Sequence, residues 1–586
     1  MEESRFKHVP LLKKLCIVFP RDQRLRFVGL FFLILIGTVF DFFSVSMILP
    51  FVSVLVNPAS LESASWYQFL QRIIGAESTM DVLFALTVIL IGVYVVKNIY
   101  MMLLSVIQNT FLTKNRFHTS AKLLNCYMHK PYTFHLQHNL AEIMRSINTD
   151  VGNAFSLVMN LISLVAAVLI SIALVIFLIS VDPILTFSIV IALAICSGLY
   201  FLIVRSRMRA AGQESRRLSM RMYKAMHQSM GGIKEVKVMG REQYFVDAYS
   251  SNGAAYVKNQ RKYVLLSGLP KHLIEIFCVG GVLSVVAIKI ASHADLSSLV
   301  PTLTAFGIAA VRLLPSANQI NSIINSISFH MPSLDSICEN ITDSLSEEPA
   351  QRPRAVKKRQ RQEQDIAIDH ITFTYPNTDE PVLRDVSLNI RRGTSVGIVG
   401  VTGAGKTTLV DIILGLLEPQ QGRVLYGGVD IRDDYAEWQS HIGYIPQSIY
   451  LTDETIRANV ALGVYDDQID DARVWKALED AQLADFVRGL KDGLDTVVGE
   501  RGVRLSGGQR QRIGIARALY YDPDILFFDE ATSSLDNDTE KAVMASINQL
   551  SKEKTIIVIA HRLTTIENCD YIYKVEDGKV FPTTLD

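Results

Sequence analysis

A chain of 586 residues is too long for one hydrophobic core, so at least two domains are expected. Its 58 Lys+Arg balance 58 Asp+Glu, but unevenly: from Ile366 onward there are 22 basic against 35 acidic residues, which leaves 36 against 23 in residues 1–365. A basic half in a soluble protein would suggest nucleic acid, but here the basic residues alternate with long apolar runs, which sets nucleic acid aside and points to a membrane.

Met1 to Arg26 is mixed and charged, so no cleaved signal peptide is expected. A bilayer core is about 30 Å thick and takes about 20 apolar residues per helix. Phe27–Val56 meets this with one charge, Asp41, and Val82–Ile107 with one, Lys97. Leu157–Ile179 and Ile184–Val204 carry none and are separated by a turn around Val181-Asp182-Pro183. Val264–Ile290 contains Lys271, His272, Glu275 and Lys289, and Leu299–Leu314 contains Pro301 and Arg312. Six spans are predicted.

The links at about 108–156 and 205–263 are long and basic, with Lys114, Arg116, Lys122, Arg205, Arg207, Arg209, Arg216, Arg217, Arg221 and Lys224 among their residues. The positive-inside rule makes both cytoplasmic, and six spans then put both termini and everything after residue 344 in the cytosol. Both links read as helical, so the membrane helices extend beyond the bilayer. Between spans one and two, Trp66, Phe69, Leu70, Ile73 and Ile74 recur at helical spacing, as in an amphipathic helix on the outer surface or an ordinary outer loop. Residues 345–365 hold two prolines and Arg352, Arg354, Lys357, Lys358, Arg359 and Arg361, and read as a basic linker beside anionic headgroups. The predicted organisation is thus a membrane domain over 1–344, a linker over 345–365 and a soluble domain over 366–586. The six cysteines form no C-x-x-C pair, and neither a metal site nor a disulfide framework is indicated.

The soluble part carries the chemistry. Val396–Val399 reads as a buried strand, and Gly400, Thr402, Gly403, Ala404, Gly405, Lys406, Thr407 and Thr408 follow in the phosphate-loop pattern, opening a helix. Backbone N–H groups and the helix start cradle a polyphosphate, Lys406 reaches its β/γ-phosphates and the Thr407 hydroxyl ligates Mg²⁺. Downstream, the apolar run Ile525–Phe528 fits a central parallel strand, which places Asp529 and Glu530 at its carboxyl end. There Asp529 holds Mg²⁺ and Glu530 acts as general base on the attacking water. Between these motifs, Ser506, Gly507, Gly508 and Gln509 open another helix and form a second anion site.

Leu505-Ser506-Gly507-Gly508-Gln509 is identical to the signature sequence of ABC transporter ATPases. The resemblance covers the whole chain. It implies an α-helical membrane domain of six transmembrane helices of the ABC exporter type, followed by an α/β P-loop ATPase domain. It implies that each ATP lies between the phosphate loop of one subunit and the signature of another, hence a homodimer. By position, Tyr375 resembles the aromatic that stacks on adenine, and Gln447 the glutamine that senses Mg²⁺ and water. Gly499-Glu500-Arg501-Gly502 resembles the exporter X-loop, Ser534-Leu535-Asp536 the D-loop, and His561 the histidine that contacts the γ-phosphate. Coupling helices are expected at roughly 131–141 and 218–228.

Ionisable residues inside spans usually face a cavity. Lys97, Lys271 and Arg312 are cationic, with Asp41 and Glu275 available to neutralise some of that charge, and they suggest an anionic cargo. The stretches Leu269–Glu275 and Arg312–Ser316 are similar to the subfamily that flips lipid-linked oligosaccharides, which implies a polyprenyl-pyrophosphate glycan as cargo and the inner (cytoplasmic) membrane as location. An exporter of drugs, lipids or peptides is the alternative, and a soluble chromosome- or repair-type ATPase is opposed by the apolar spans.

Overall fold

The computed structural model describes residues 9–19, 21–47, 71–72, 79–181, 183–291, 299–346, 365–376, 378–529, 554–559, 566–567 and 569–584. The chain forms two compact units, Met1–Lys130 with His135–Pro349, and Pro131–Phe134 with Ala350–Asp586.

Six long helices make up the described body of the first unit: Arg21–Ser46, Thr79–Met128, Val151–Val181, Pro183–Gly231, Glu242–Ala291 and Leu299–Ser346. Five of the predicted spans fall wholly on one of them, and Phe27–Val56 does so as far as Ser46, residues 48–56 lying outside the described residues. Hydrocarbon offers no hydrogen-bond partner, so an apolar run satisfies its backbone only within a helix. Among the described residues, Gln23–Asp41, Met80–Met128 and Leu140–Ala173 are long and apolar enough to cross a membrane. The helices continue well past their apolar runs. Pro183–Gly231 has 49 residues, and at about 1.5 Å per residue it spans about 74 Å, more than twice a bilayer core of about 30 Å.

Short helices interrupt the basic links. Tyr132–Gln137 and Leu140–Arg145 coincide with the first expected coupling helix. The second expectation needs correction, because residues 218–228 lie inside the uninterrupted helix Pro183–Gly231. The chain breaks instead at Gly231-Gly232, and the short helix Ile233–Met239 follows, closed by Gly240 at φ 60°. Glycine is the poorest helix former after proline, whereas Arg221, Met222, Lys224 and Ala225 all favour helix.

Close contacts and buried polar groups bind these helices. A Cβ on Gly212 would lie 2.0 Å from the Phe329 carbonyl oxygen, so only glycine lets the fourth long helix approach the sixth at this point. Asn160 donates to Ser326 Oγ at 2.7 Å and Asn259 to the Ala211 carbonyl at 2.8 Å. Lower down, Asp150 accepts from Arg145 at 2.8 Å, from Arg216 at 3.3 Å and from Ser333 at 3.0 Å. Asp335 accepts from Lys14 at 2.6 Å and from Arg209 at 3.0 Å, which fastens the N-terminal helix Leu11–Val18 to the last one.

The second unit holds ten described strands: β1 Ile366–Phe373, β2 Leu383–Ile390, β3 Ser395–Val399, β4 Gln421–Tyr426, β5 Val429–Asp430, β6 Ile442–Ile445, β7 Ile525–Asp529, β8 Thr555–Ile559, β9 Tyr571–Glu576 and β10 Lys579–Thr583. An antiparallel sheet runs β2-β1-β4-β5, and a second sheet runs β10-β9-β3-β8-β7-β6. In the second sheet β9, β3, β8, β7 and β6 are parallel, with only β10 reversed. The near-continuous burial of β3, β7 and β8 explains why their sequences read as unbroken apolar runs.

Candidate functional site: a nucleotide edge on the parallel sheet

Because β3, β8, β7 and β6 are parallel neighbours in that order, their carboxyl ends line one edge. The phosphate loop leaves β3, Asp529 ends β7, and Gln447 is exposed two residues beyond β6. Gly400 and Asp529, 129 positions apart in the chain, are thus gathered by topology at the place where open α/β sheets bind ligands.

The loop is shaped by close backbone approach. A Cβ on Gly400 would lie 2.4 Å from the Val575 carbonyl oxygen, so strand β9 excludes every side chain there. Helix Lys406–Ile413 starts at Gly405 and directs its free N–H groups at the loop. Lys406 is buried, and its ammonium donates to the carbonyls of Gly400 at 2.8 Å and Val401 at 3.2 Å, within the turn that would hold phosphate. Thr402, Gly403 and Thr407 are exposed on this surface, with Ala404 partly buried and Thr408 buried. The Tyr375 hydroxyl is 3.1 Å from Thr408 Oγ1, and its ring packs edge-on against Phe373, tying the expected adenine platform to the first turn of the phosphate helix.

Two residues that the motifs did not single out join this site. Tyr444, on β6, donates its hydroxyl to Asp529 Oδ2 at 3.3 Å. Burial, and then the neighbouring Asp529 carboxylate, pushes the Asp411 carboxyl up to about 6. Burial followed by the Asp529 and Asp411 charges likewise raises the Tyr444 phenol above its ordinary range. The signals in the sequence were slight: a lone acid in the apolar run Leu409–Ile413, and a phenol in a strand three residues before Gln447. Two mutually repelling carboxylates, an exposed threonine hydroxyl and an exposed amide make an oxygen donor set that fits a hard divalent cation.

The second anion site is ordered by its own side chains. Ser506 caps helix Gly507–Tyr520, accepting from the Gln509 N–H at 3.2 Å while Gln509 Oε1 accepts from the Ser506 N–H at 2.8 Å. Arg510 holds the preceding turn through the carbonyls of Leu505 at 2.8 Å and Gly502 at 3.3 Å. This leaves Gly507 and Gly508 at a rigid helix start, suited to an anion. Glu530, Ser534-Leu535-Asp536 and His561 lie outside the described residues; Glu530 follows Asp529 directly, and His561 comes two positions after the end of β8.

The cationic candidates divide. Lys97 is buried and forms an ion pair with Asp41, donating also to Ser44 Oγ at 3.3 Å, so the neutralisation by Asp41 that the sequence left open is realised here. Lys271 is exposed and makes no ion pair among the described residues, not even with Glu275, which is exposed four positions on. Arg312 lies on helix Leu299–Ser346, and its side chain is outside the described set.

The family pattern described as ABC transporter transmembrane region matches residues 27–304, and the one described as ABC transporter matches residues 383–533. The chain is 31% identical to an ATP-dependent lipid A-core flippase of Cupriavidus metallidurans, over 84% of this chain and 82% of that one. The chain belongs to the ABC transporter family. It is also 30% identical to an ATP-dependent lipid A-core flippase of Ralstonia nicotianae, again over 84% of this chain and 82% of the relative. A solved structure of a bacterial Atm1-family ABC exporter with ATP bound superposes with a TM-score of 0.77, at 23% identity, covering 95% of this chain and 94% of that one. That last likeness concerns the fold. An ABC transporter with this fusion binds ATP and couples its hydrolysis to transport across a membrane.

Proposed function

We propose that this ABC transporter works as a homodimer that flips an anionic, lipid-linked oligosaccharide of the polyprenyl-pyrophosphate kind across the inner membrane, with its ATPase domains and both termini in the cytosol. Lys271 carries the reading. Within the run Val264–Ile290 it is exposed and without an ion-pair partner among the described residues, so it can meet a phosphate that passes along the membrane domain. Arg312 supplies the second cation, while Lys97 enters as half of an ion pair. The naming of two relatives for lipid A-core supports a lipid cargo over a drug or a peptide.

Each ATP lies between the phosphate loop of one subunit and Ser506–Gln509 of the other. Tyr375 packs on adenine, and Gly400–Thr408 wraps the phosphates. Thr407, Asp529 and Gln447 would hold a Mg²⁺ ion, which when bound would supply neutralisation of phosphate charge. Glu530 accepts the proton of the attacking water, and His561 contacts the γ-phosphate. ATP favours the closed dimer and hydrolysis releases it, which shifts the membrane helices between two states. In proteoliposomes, a labelled polyprenyl-pyrophosphate glycan should cross only with ATP, and Lys271→Ala or Arg312→Ala should reduce that movement severely. Normal movement in both variants would remove the cationic pathway.

A further inference from the structure

Tyr444 occupies a position that neither the motifs nor the family reading assigns. It sits on β6 opposite Phe527 in parallel register, and side chains two apart along β7 share a face, so Phe527 and Asp529 lie on the face that Tyr444 covers. The phenol therefore extends along the strands to the carboxyl edge, where its hydroxyl donates to Asp529 Oδ2 at 3.3 Å. Its ring packs against the core cluster to which Phe527 and, from the phosphate-loop helix, Leu409, Ile412 and Ile413 belong. The same helix brings the Asp411 carboxylate within electrostatic reach of both Asp529 and Tyr444.

We propose that Tyr444 is a positioning residue for the cation of the nucleotide site: its hydroxyl engages Oδ2 of Asp529 and so fixes the orientation of that carboxylate, while Asp411, on the phosphate-loop helix, adds a second negative charge nearby. A carboxylate ligand held by a hydrogen bond loses less rotational freedom when the metal binds, and outer partners of this kind typically change metal affinity or activity by about 10- to 100-fold. The inference rests on Asp529 being the cation's carboxylate.

The test uses the full chain in lipid nanodiscs. Binding of a fluorescent ADP analogue is followed while Mg²⁺ is titrated, and ATPase rate is measured over the same range. Tyr444→Phe, which keeps the ring, should raise the half-saturating Mg²⁺ concentration roughly 10-fold in both measurements, and excess Mg²⁺ should restore the rate. Its nucleotide affinity in EDTA and its unfolding midpoint in EDTA should stay unchanged. Asp411→Asn should also raise the Mg²⁺ requirement, and it serves if Tyr444→Phe folds poorly. Asp529→Asn provides the reference. Loss of Mg²⁺ response in Asp529→Asn together with an unaltered titration in Tyr444→Phe would overturn the role of Tyr444 alone. An unaltered titration in Asp529→Asn would overturn both that role and the reading of Asp529. A lowered unfolding midpoint with an unchanged Mg²⁺ requirement would make Tyr444 merely structural and also defeat the proposal.

Discussion

Asp41 and Lys97 form an ion pair between the first two long helices of the membrane unit, and both side chains are largely shielded from solvent. A charge within a membrane segment is expensive unless paired, and here each residue answers the other. Asp41→Asn should therefore destabilise the protein by about 3–5 kcal/mol, because it leaves a buried ammonium without its partner. Lys97→Met combined with Asp41→Leu should recover most of that loss. Unfolding midpoints of the purified full chain would show it, and additive losses in the double variant would contradict the pairing.

Asp150 should prove equally sensitive. It accepts from Arg145, Arg216 and Ser333 in a buried cluster that joins three helices, and the Arg145 side chain is only 2% exposed. Asp150→Asn strands that guanidinium, with an expected cost of about 3–5 kcal/mol. Arg145→Met in the same chain should relieve part of it. A midpoint unmoved by Asp150→Asn would show that the cluster contributes nothing net to stability.

Gly400→Ala should abolish nucleotide binding while the membrane unit remains folded. The added methyl would meet the Val575 carbonyl oxygen at 2.4 Å, and either β9 or the phosphate loop must move. Binding of a fluorescent ATP analogue is the measurement. Retained affinity within about 2-fold, under 0.5 kcal/mol, would mean that the loop tolerates the shift.

Asp411 introduces a pH dependence whose sign follows from its environment. Burial and Asp529 raise its carboxyl from 3.8 in the unfolded chain to about 6 in the folded one. Its contribution to stability is therefore fully present below the unfolded value and lost as pH rises through the folded one. In EDTA, Asp411→Asn should raise the unfolding midpoint at about pH 8, with the gain shrinking toward about pH 5. An equal gain at both pH values would show that Asp411 does not titrate in this window.

Much of the nucleotide edge was legible because its chemistry is local. The phosphate loop, Asp529 and the Ser506 cap each declare themselves within a few residues, and the apolar runs before them are what a fully buried parallel strand requires. The six long helices were legible for the same reason, since an apolar run in lipid has few alternatives. What escaped was long-range. Nothing near Tyr444 indicates that β6 lies beside β7, and nothing near Lys97 indicates that Asp41, 56 positions away, will face it. The second short helix lies beyond the stretch 218–228 that the family resemblance implied, because the backbone breaks at its glycines, Gly231 and Gly232.

The central claim is that this ABC transporter moves an anionic lipid-linked glycan at the cost of ATP. It is tested most directly in proteoliposomes, by following a labelled polyprenyl-pyrophosphate oligosaccharide between leaflets. ATP should drive its movement in the unsubstituted protein, Lys406→Ala should stop it, and Lys271→Ala should slow it at unchanged ATP concentration. Movement that ignores ATP and Lys406, or an absence of movement in a preparation that hydrolyses ATP, would contradict the account.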